Sequence, residues 1–117
     1  MLNAISDSTT AALHRALDGL DRRQEVIAHN IANVETPGFL SQEVEFEDSL
    51  RAAIASGRPA DAAITVEHSL APTRLNGNNV NLDVELMAAS ETKLRQQLAI
   101  EGLNAKYQFL RTALGGR

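Results

Sequence analysis

The chain has 117 residues, of which 44% are hydrophobic but only 3% aromatic, with no tryptophan and a formal net charge of −4. That length predicts one domain, and an aliphatic, aromatic-poor core suits helices packed on helices better than a compact sheet. Interspersed charge with no basic stripe argues against nucleic acid as a partner, and the absence of cysteine excludes a disulfide framework or a Cys-based metal site.

The first predicted element is a helix over residues 8–34. Leu13, Leu17, Leu20, Gln24, Ile27, Ile31 and Val34 alternate steps of four and three, which is a heptad seam with one polar interruption at Gln24. Ser6, Asp7, Ser8 and Thr9 are candidate N-caps. The N-terminus lacks the basic start and apolar run of a cleaved signal peptide. No apolar stretch approaches the ~20 residues of a membrane span. The sequence therefore reads as cytosolic, or as leaving the cell by a route that uses no such signal.

The helix is expected to end between Asn30 and Gly38. Asparagine tolerates the left-handed backbone found just beyond a helix end, and Pro37 disfavours helical geometry at Thr36. Pro37-Gly38 fits the central positions of a type II turn, glycine supplying the positive φ. Phe39, one of three phenylalanines, follows directly.

The middle, residues 39–80, predicts an extended piece and a short helix over SQEVEFEDSLRAAIA, then a short strand at ITVEH. Gly57, Pro59, Pro72 and the NGNN run at 76–79 are turn signals. The expectation is a small, partly ordered insert and not an independent domain.

The last predicted helix spans residues 81–114, with Asn81 as N-cap, Asp83 and Glu85 in the first turn, and Gly115-Gly116 as the stop. Its apolar residues form two stripes. Val84, Met87, Leu94, Leu98, Ala105 and Phe109 make one, expected to pair with Leu13, Leu17, Leu20, Ile27 and Ile31 of the first helix. Ile100, Leu103, Tyr107, Leu110 and Leu114 make the other, which has to meet the middle segment or another molecule. The expected fold is mainly α: two long terminal helices pair as a coiled-coil hairpin around a short irregular middle with a little β. The segments are 1–34, 35–80 and 81–117.

No constellation of catalytic residues emerges. His14 and His29 share one helix too far apart to share a metal, and His68 lies in the loop-rich middle. Glu43, Glu45, Glu47 and Asp48 are acidic neighbours without the spacing of a calcium loop. There is no Gly-rich phosphate loop, nucleophile elbow or HExxH. Neither an enzyme, a cofactor, a metal nor a small-molecule substrate is expected. A coiled-coil adaptor that regulates a partner is the rival reading; it explains the heptads but not the Thr36-Pro37-Gly38-Phe39 turn.

The stretch IAHNIANVETPGF, Ile27 to Phe39, resembles the N-terminal signature of the flagellar rod and hook protein family, matching it at Asn30, Ala32, Asn33, Thr36, Pro37, Gly38 and Phe39. The segment from NGNNVNLDVE onward resembles the C-terminal part of the family's proximal rod subunits, most tellingly over Asn78 to Glu85. The resemblance implies a subunit that polymerises with copies of itself and other rod subunits into a helical tube, its terminal helices pairing and lining it. That tube is the rod, which crosses the periplasm and transmits torque from motor to hook. Export by the flagellar type III apparatus without a cleaved signal is implied, as is a position beside the MS-ring and the adaptor joining ring to rod. Phe39 would anchor in a groove of the next subunit, or pack on its own helix pair. Phe46 and Leu50 resemble a short Phe-x-x-x-apolar export signal, and local packing is the alternative.

Overall fold

The computed structural model describes residues 2–115, and side chains for residues 8–115. Three helices, α1 (Leu2–Ala32), α2 (Glu47–Ala55) and α3 (Leu82–Ala113), alternate with two strands, β1 (Gln42–Glu45) and β2 (Thr65–His68). A single 3-10 turn at Pro59–Asp61 joins α2 to β2. α1 and α3 run antiparallel, bringing Asn30 to Glu85 near one end and Leu13 to Gly102 towards the other. The molecule extends 63 × 29 × 13 Å, with a radius of gyration of 17.9 Å, against about 13 Å for a compact chain of ~100 residues.

α1 begins six residues earlier than its cap chemistry suggested, because Ser6 to Thr9 lie inside the helix. It buries two adjoining seams. Leu13 and Gln24 contact α3, and the seam they share with Leu17, Leu20, Ile27 and Ile31 buries Leu20 and Ile27, Leu20 also reaching the core beneath the middle segment. The polar break in this seam has a partner: Gln24 Nε2 donates to the Ala89 carbonyl at 3.0 Å. One position over, Ala12, Ala16, Gly19, Arg23, Val26 and Asn30 carry the middle segment.

The middle segment is ordered. β1 and β2 pair antiparallel with Val44 opposite Val66 and Glu43 opposite Glu67. Val44 and Phe46 join Leu20 and Val26 in the buried core, with Ala16, Leu50, Ile64 and Val66 around it. Gly19 is the notch that admits Phe46: a Cβ there would fall 2.5 Å from the ring, well inside van der Waals contact. Arg23 closes the notch from above, its guanidinium 4.8 Å from the ring centroid, while donating to both Glu47 oxygens at 2.6 and 2.7 Å and to the Val44 carbonyl at 2.7 Å. Hydrogen bonding to Arg23 holds the Glu47 carboxyl below its ordinary value and raises that of Arg23. Phe46 and Leu50 are thus core residues of the folded chain.

The expected α3 seam is corrected by the structure. The face that meets α1 is Glu85, Ala89, Thr92, Gln96, Ala99, Leu103, Lys106 and Leu110, all buried or half-buried and spaced four and three in turn. Most are small or polar; the Ala89 carbonyl accepts from Gln24, and Leu13 packs beside Gly102, 3.6 Å from where a Cβ would fall. Val84, Met87, Leu94 and Leu98 are instead exposed, together with Phe109. Leu103 and Leu110, expected on an outward seam with Ile100, Tyr107 and Leu114, belong to the α1-facing side, whereas the other three are exposed. At about 100° per residue, Leu82, Leu86, Ile100 and Tyr107 flank the pairing face on one side. Val84, Leu98 and Phe109 lie on the other side, and Met87 and Leu94 on the back of the helix, opposite the pairing face.

Candidate functional site

The two sequence motifs that stand out at either end of the chain meet at one end of the hairpin. Chain direction there reverses twice, between α1 and β1 and between β2 and α3, and both loops leave backbone groups that the helices no longer satisfy. Asparagine side chains, each with a donor pair and an acceptor, take up most of them.

Asn30, in the last turns of α1, is fully buried. Its amide exchanges hydrogen bonds with both backbone groups of Gln42, Nδ2 to the carbonyl and the N–H to Oδ1, each at 2.9 Å. It therefore acts as a substitute strand on the outer edge of β1. Nδ2 also donates to Glu85 Oε2 at 3.2 Å, linking α1 to the first turn of α3. Burial pushes the Glu85 carboxyl above its ordinary value; the Asn30 bond opposes the shift and the nearby Glu43 charge adds to it.

The Thr36–Phe39 turn is closed by the Phe39 N–H donating to the Thr36 carbonyl at 3.3 Å, with Gly38 at φ +75°. This is the conformation a glycine adopts without strain. Asn33 sets the approach: its Nδ2 donates to the His29 carbonyl at 2.9 Å and its Oδ1 accepts from Thr36 Oγ1 at 3.0 Å. The Gly38 N–H donates to the Asn76 carbonyl at 2.8 Å, which ties the turn to the loop before α3. The half-buried Phe39 ring meets His29 edge-on, centroids 5.4 Å apart.

From the other loop, the fully buried Asn78 donates through Nδ2 to the carbonyls of Asn33 and Thr36, both at 2.8 Å. Asn79 accepts from the Ser41 N–H at 2.7 Å and donates to Ser69 and Ala71. Arg74 donates to the carbonyls of Val80 and Val34, each at 2.6 Å. Asn81 then caps α3, accepting from the Val84 N–H at 3.2 Å.

Asn30, Asn33, Thr36, Pro37, Gly38 and Phe39 are thus brought together, whereas Phe46 and Leu50 lie apart, in the core. Sequence reasoning missed Arg74, Asn78, Asn79 and Glu85 as members of the site. The asparagine run and the acidic first turn were visible, but their partners lie some 40 to 55 residues away. Among the described residues no group of three or more His, Asp or Glu side chains is arranged to hold a metal, and no helix is long and apolar enough to cross a membrane.

Comparison with known proteins gives a consistent result. A family model described as flagella basal body rod protein matches residues 12–39, from the first heptad leucine region to Phe39. Flagellar basal body rod protein FlgB of Bacillus subtilis is 29% identical over 126 residues, covering 97% of this chain and 98% of the relative. The protein of that name in Borreliella burgdorferi is 31% identical over 107 residues, covering 73% and 79%. Its Escherichia coli counterpart is 27% identical over 132 residues, covering 92% and 96%.

Proposed function

The chain belongs to the family of flagellar basal body rod proteins, and from that premise we propose how its surfaces build a rod. It is a structural subunit of the basal-body rod, and the family is not enzymatic. The observation that carries the assembly reading is the distribution of apolar side chains on α3. After α1 has been paired, α3 still presents large apolar residues on one flank, Ile100 at 48% exposed among them, and around its other flank and back, Phe109 at 55% and Met87 at 74%. Contiguous exposed apolar seams of this kind are rare on monomers and mark interaction surfaces.

The paired helices (segments 1–34 and 81–117) form the body of the subunit, and segment 35–80 braces one side of α1. The stripe of Ile100, Tyr107 and Leu114 and the stripe of Val84, Met87, Leu94 and Leu98 meet neighbouring subunits, either copies of this chain or other rod components. The junction built on Asn30, Asn33, Thr36, Pro37, Gly38 and Phe39 fixes the angle at which the middle segment leaves the hairpin, and so sets what each neighbour meets. The rod–ring adaptor, the MS-ring and the flagellar export apparatus are the further partners. Phe46 and Leu50 serve as an export signal only in the unfolded chain, since folding buries the ring in the Gly19 notch.

The test is to express the chain in a strain lacking its own proximal rod gene, score swimming, and probe purified basal bodies for the subunit. Restored swimming with the chain in the rod fraction is expected; a chain exported but absent from basal bodies would contradict the reading.

A further inference from the structure

In the loop between β2 and α3 stands Asn76-Gly77, the one place in the chain where glycine follows asparagine. The pair is chemically labile: the main-chain nitrogen after an asparagine can attack the side-chain carbonyl carbon, and glycine, with no side chain, hinders that attack least. Every other asparagine precedes alanine, isoleucine, valine, leucine or a second asparagine. Gly77 cannot simply be exchanged. It sits at φ +82°, where other residues are strained, and a Cβ there would stand 3.2 Å from Gly38 Cα. The close approach of the two turns therefore demands the glycine that makes the pair labile.

The folded loop holds both reacting groups in other bonds. The Gly77 N–H donates to the Arg74 carbonyl at 2.9 Å, closing a turn with Asn76 at its third position. Asn76 Oδ1 accepts from the Asn78 N–H at 3.1 Å, and its main-chain carbonyl accepts from the Gly38 N–H at 2.8 Å. Attack requires the Gly77 nitrogen to lose its proton and turn onto Asn76 Cγ, which breaks the first bond and displaces the second. Asn76 is exposed, so water reaches it and the bonds alone protect it. We propose that Asn76 is a deamidation site gated by folding, slow in the native junction and fast whenever the loop opens. The Gly77 nitrogen, deprotonated by hydroxide, bonds to Cγ, and the side-chain nitrogen takes up a proton and leaves as ammonia. One water then opens the succinimide at either carbonyl, giving aspartate or isoaspartate. Isoaspartate routes the main chain through the old side chain and lengthens it by one carbon–carbon bond, about 1.5 Å. The old main-chain carbonyl becomes a free carboxylate, so the acceptors for Gly38 and Asn78 no longer stand where the junction needs them. A chain modified while open cannot rebuild the native contact with the Thr36–Phe39 turn.

The test incubates the full-length chain in mildly alkaline buffer, native and in unfolding urea, and follows deamidation by peptide mass spectrometry. Conversion at Asn76 is expected to be at least tenfold slower in the native chain, and in urea to precede that of every other asparagine. Asn78→Ala, which removes the ties to Asn33 and Thr36, is expected to speed native conversion several-fold and to leave the rate in urea unchanged. Isoaspartate chains, identified with an isoaspartate-specific methyltransferase and separated, are expected to melt below Asn76→Asp, which keeps the native main chain. Equal rates in native buffer and urea, or earlier conversion of another asparagine in urea, overturn the gated site. Isoaspartate chains that melt with Asn76→Asp overturn its effect on the junction.

Discussion

α1 and α3 are of nearly equal length, 31 and 32 residues, and they spend their apolar side chains in opposite ways. α1 turns Leu20, Val26 and Ile27 inward on two adjoining seams. α3 offers α1 mainly small and polar residues and keeps Leu82, Val84, Leu86, Met87, Leu94, Leu98, Ile100, Tyr107 and Phe109 exposed. One helix packs the subunit's own core, and the other leaves most of its large apolar side chains at the surface. Apolar content alone does not tell the two apart; what separates them is which residues occupy the contact heptad.

The sharpest way to break this comparison sets two phenylalanines against each other. Phe46→Ala empties the Gly19 notch and is expected to cost about 3–5 kcal/mol, read by urea unfolding. Phe109→Ala, on the exposed flank of α3, is expected to stay within about 0.5 kcal/mol of wild type. Equal losses would show that α3 carries its outer stripe for the fold of the single chain.

A middle-sized effect lies in the junction where the two helices are locked in register. Asn78→Ala removes one of the two hydrogen bonds that each of the Asn33 and Thr36 carbonyls accepts and leaves the buried Val80 N–H without its acceptor, an unsatisfied group expected to cost about 1–3 kcal/mol. Gly38→Val forces a β-branched residue to φ +75°, a strain on the order of 1–3 kcal/mol. No neighbour lies within 4 Å of the added Cβ, so the backbone alone is responsible, and Gly38→Asn is expected to recover much of the loss because asparagine tolerates that region. Thermal unfolding of the three variants measures this directly.

Smaller still is the pH dependence. The Glu85 carboxyl is raised by burial, so the folded state holds its proton more tightly, and stability falls as pH climbs from the ordinary glutamate range through the raised value. Glu47 is lowered by its bond to Arg23, so its contribution is present above the ordinary range and is lost as pH drops through the lowered value. Glu85→Gln is expected to flatten the decline on the neutral side, and Glu47→Gln the loss on the acid side, in urea titrations across pH. An unchanged profile for Glu85→Gln would mean that its carboxyl is solvated.

The sequence made much of this legible, for reasons that also explain the gaps. The α1 heptads, the Pro37-Gly38 turn and the Asn81 cap are local signals whose physics lies within a few residues. The start of α1 was misplaced because capping residues mark where a helix is able to begin, not where it has to. The α3 pairing face was hidden because a close helix contact uses Ala, Thr and Gln, which do not register as a stripe. The Gly19 notch for Phe46, and the reach of Asn78 to Asn33 and Thr36, are tertiary pairings that no local pattern encodes.

The central claim is that α3 is outward-facing by design, and one pair of variants tests it most directly. Met87→Asp places a carboxylate on the exposed back of α3 and Ile100→Asp one on its exposed flank, where single-chain stability is expected to change by no more than about 0.5 kcal/mol. A neighbour seated there would bury the charge unpaired, at several kcal/mol. Each variant is expressed in the strain lacking the native gene, with stability measured on purified protein and rod incorporation on purified basal bodies. Wild-type stability with incorporation abolished is the predicted result; normal incorporation and swimming in both variants would contradict the account.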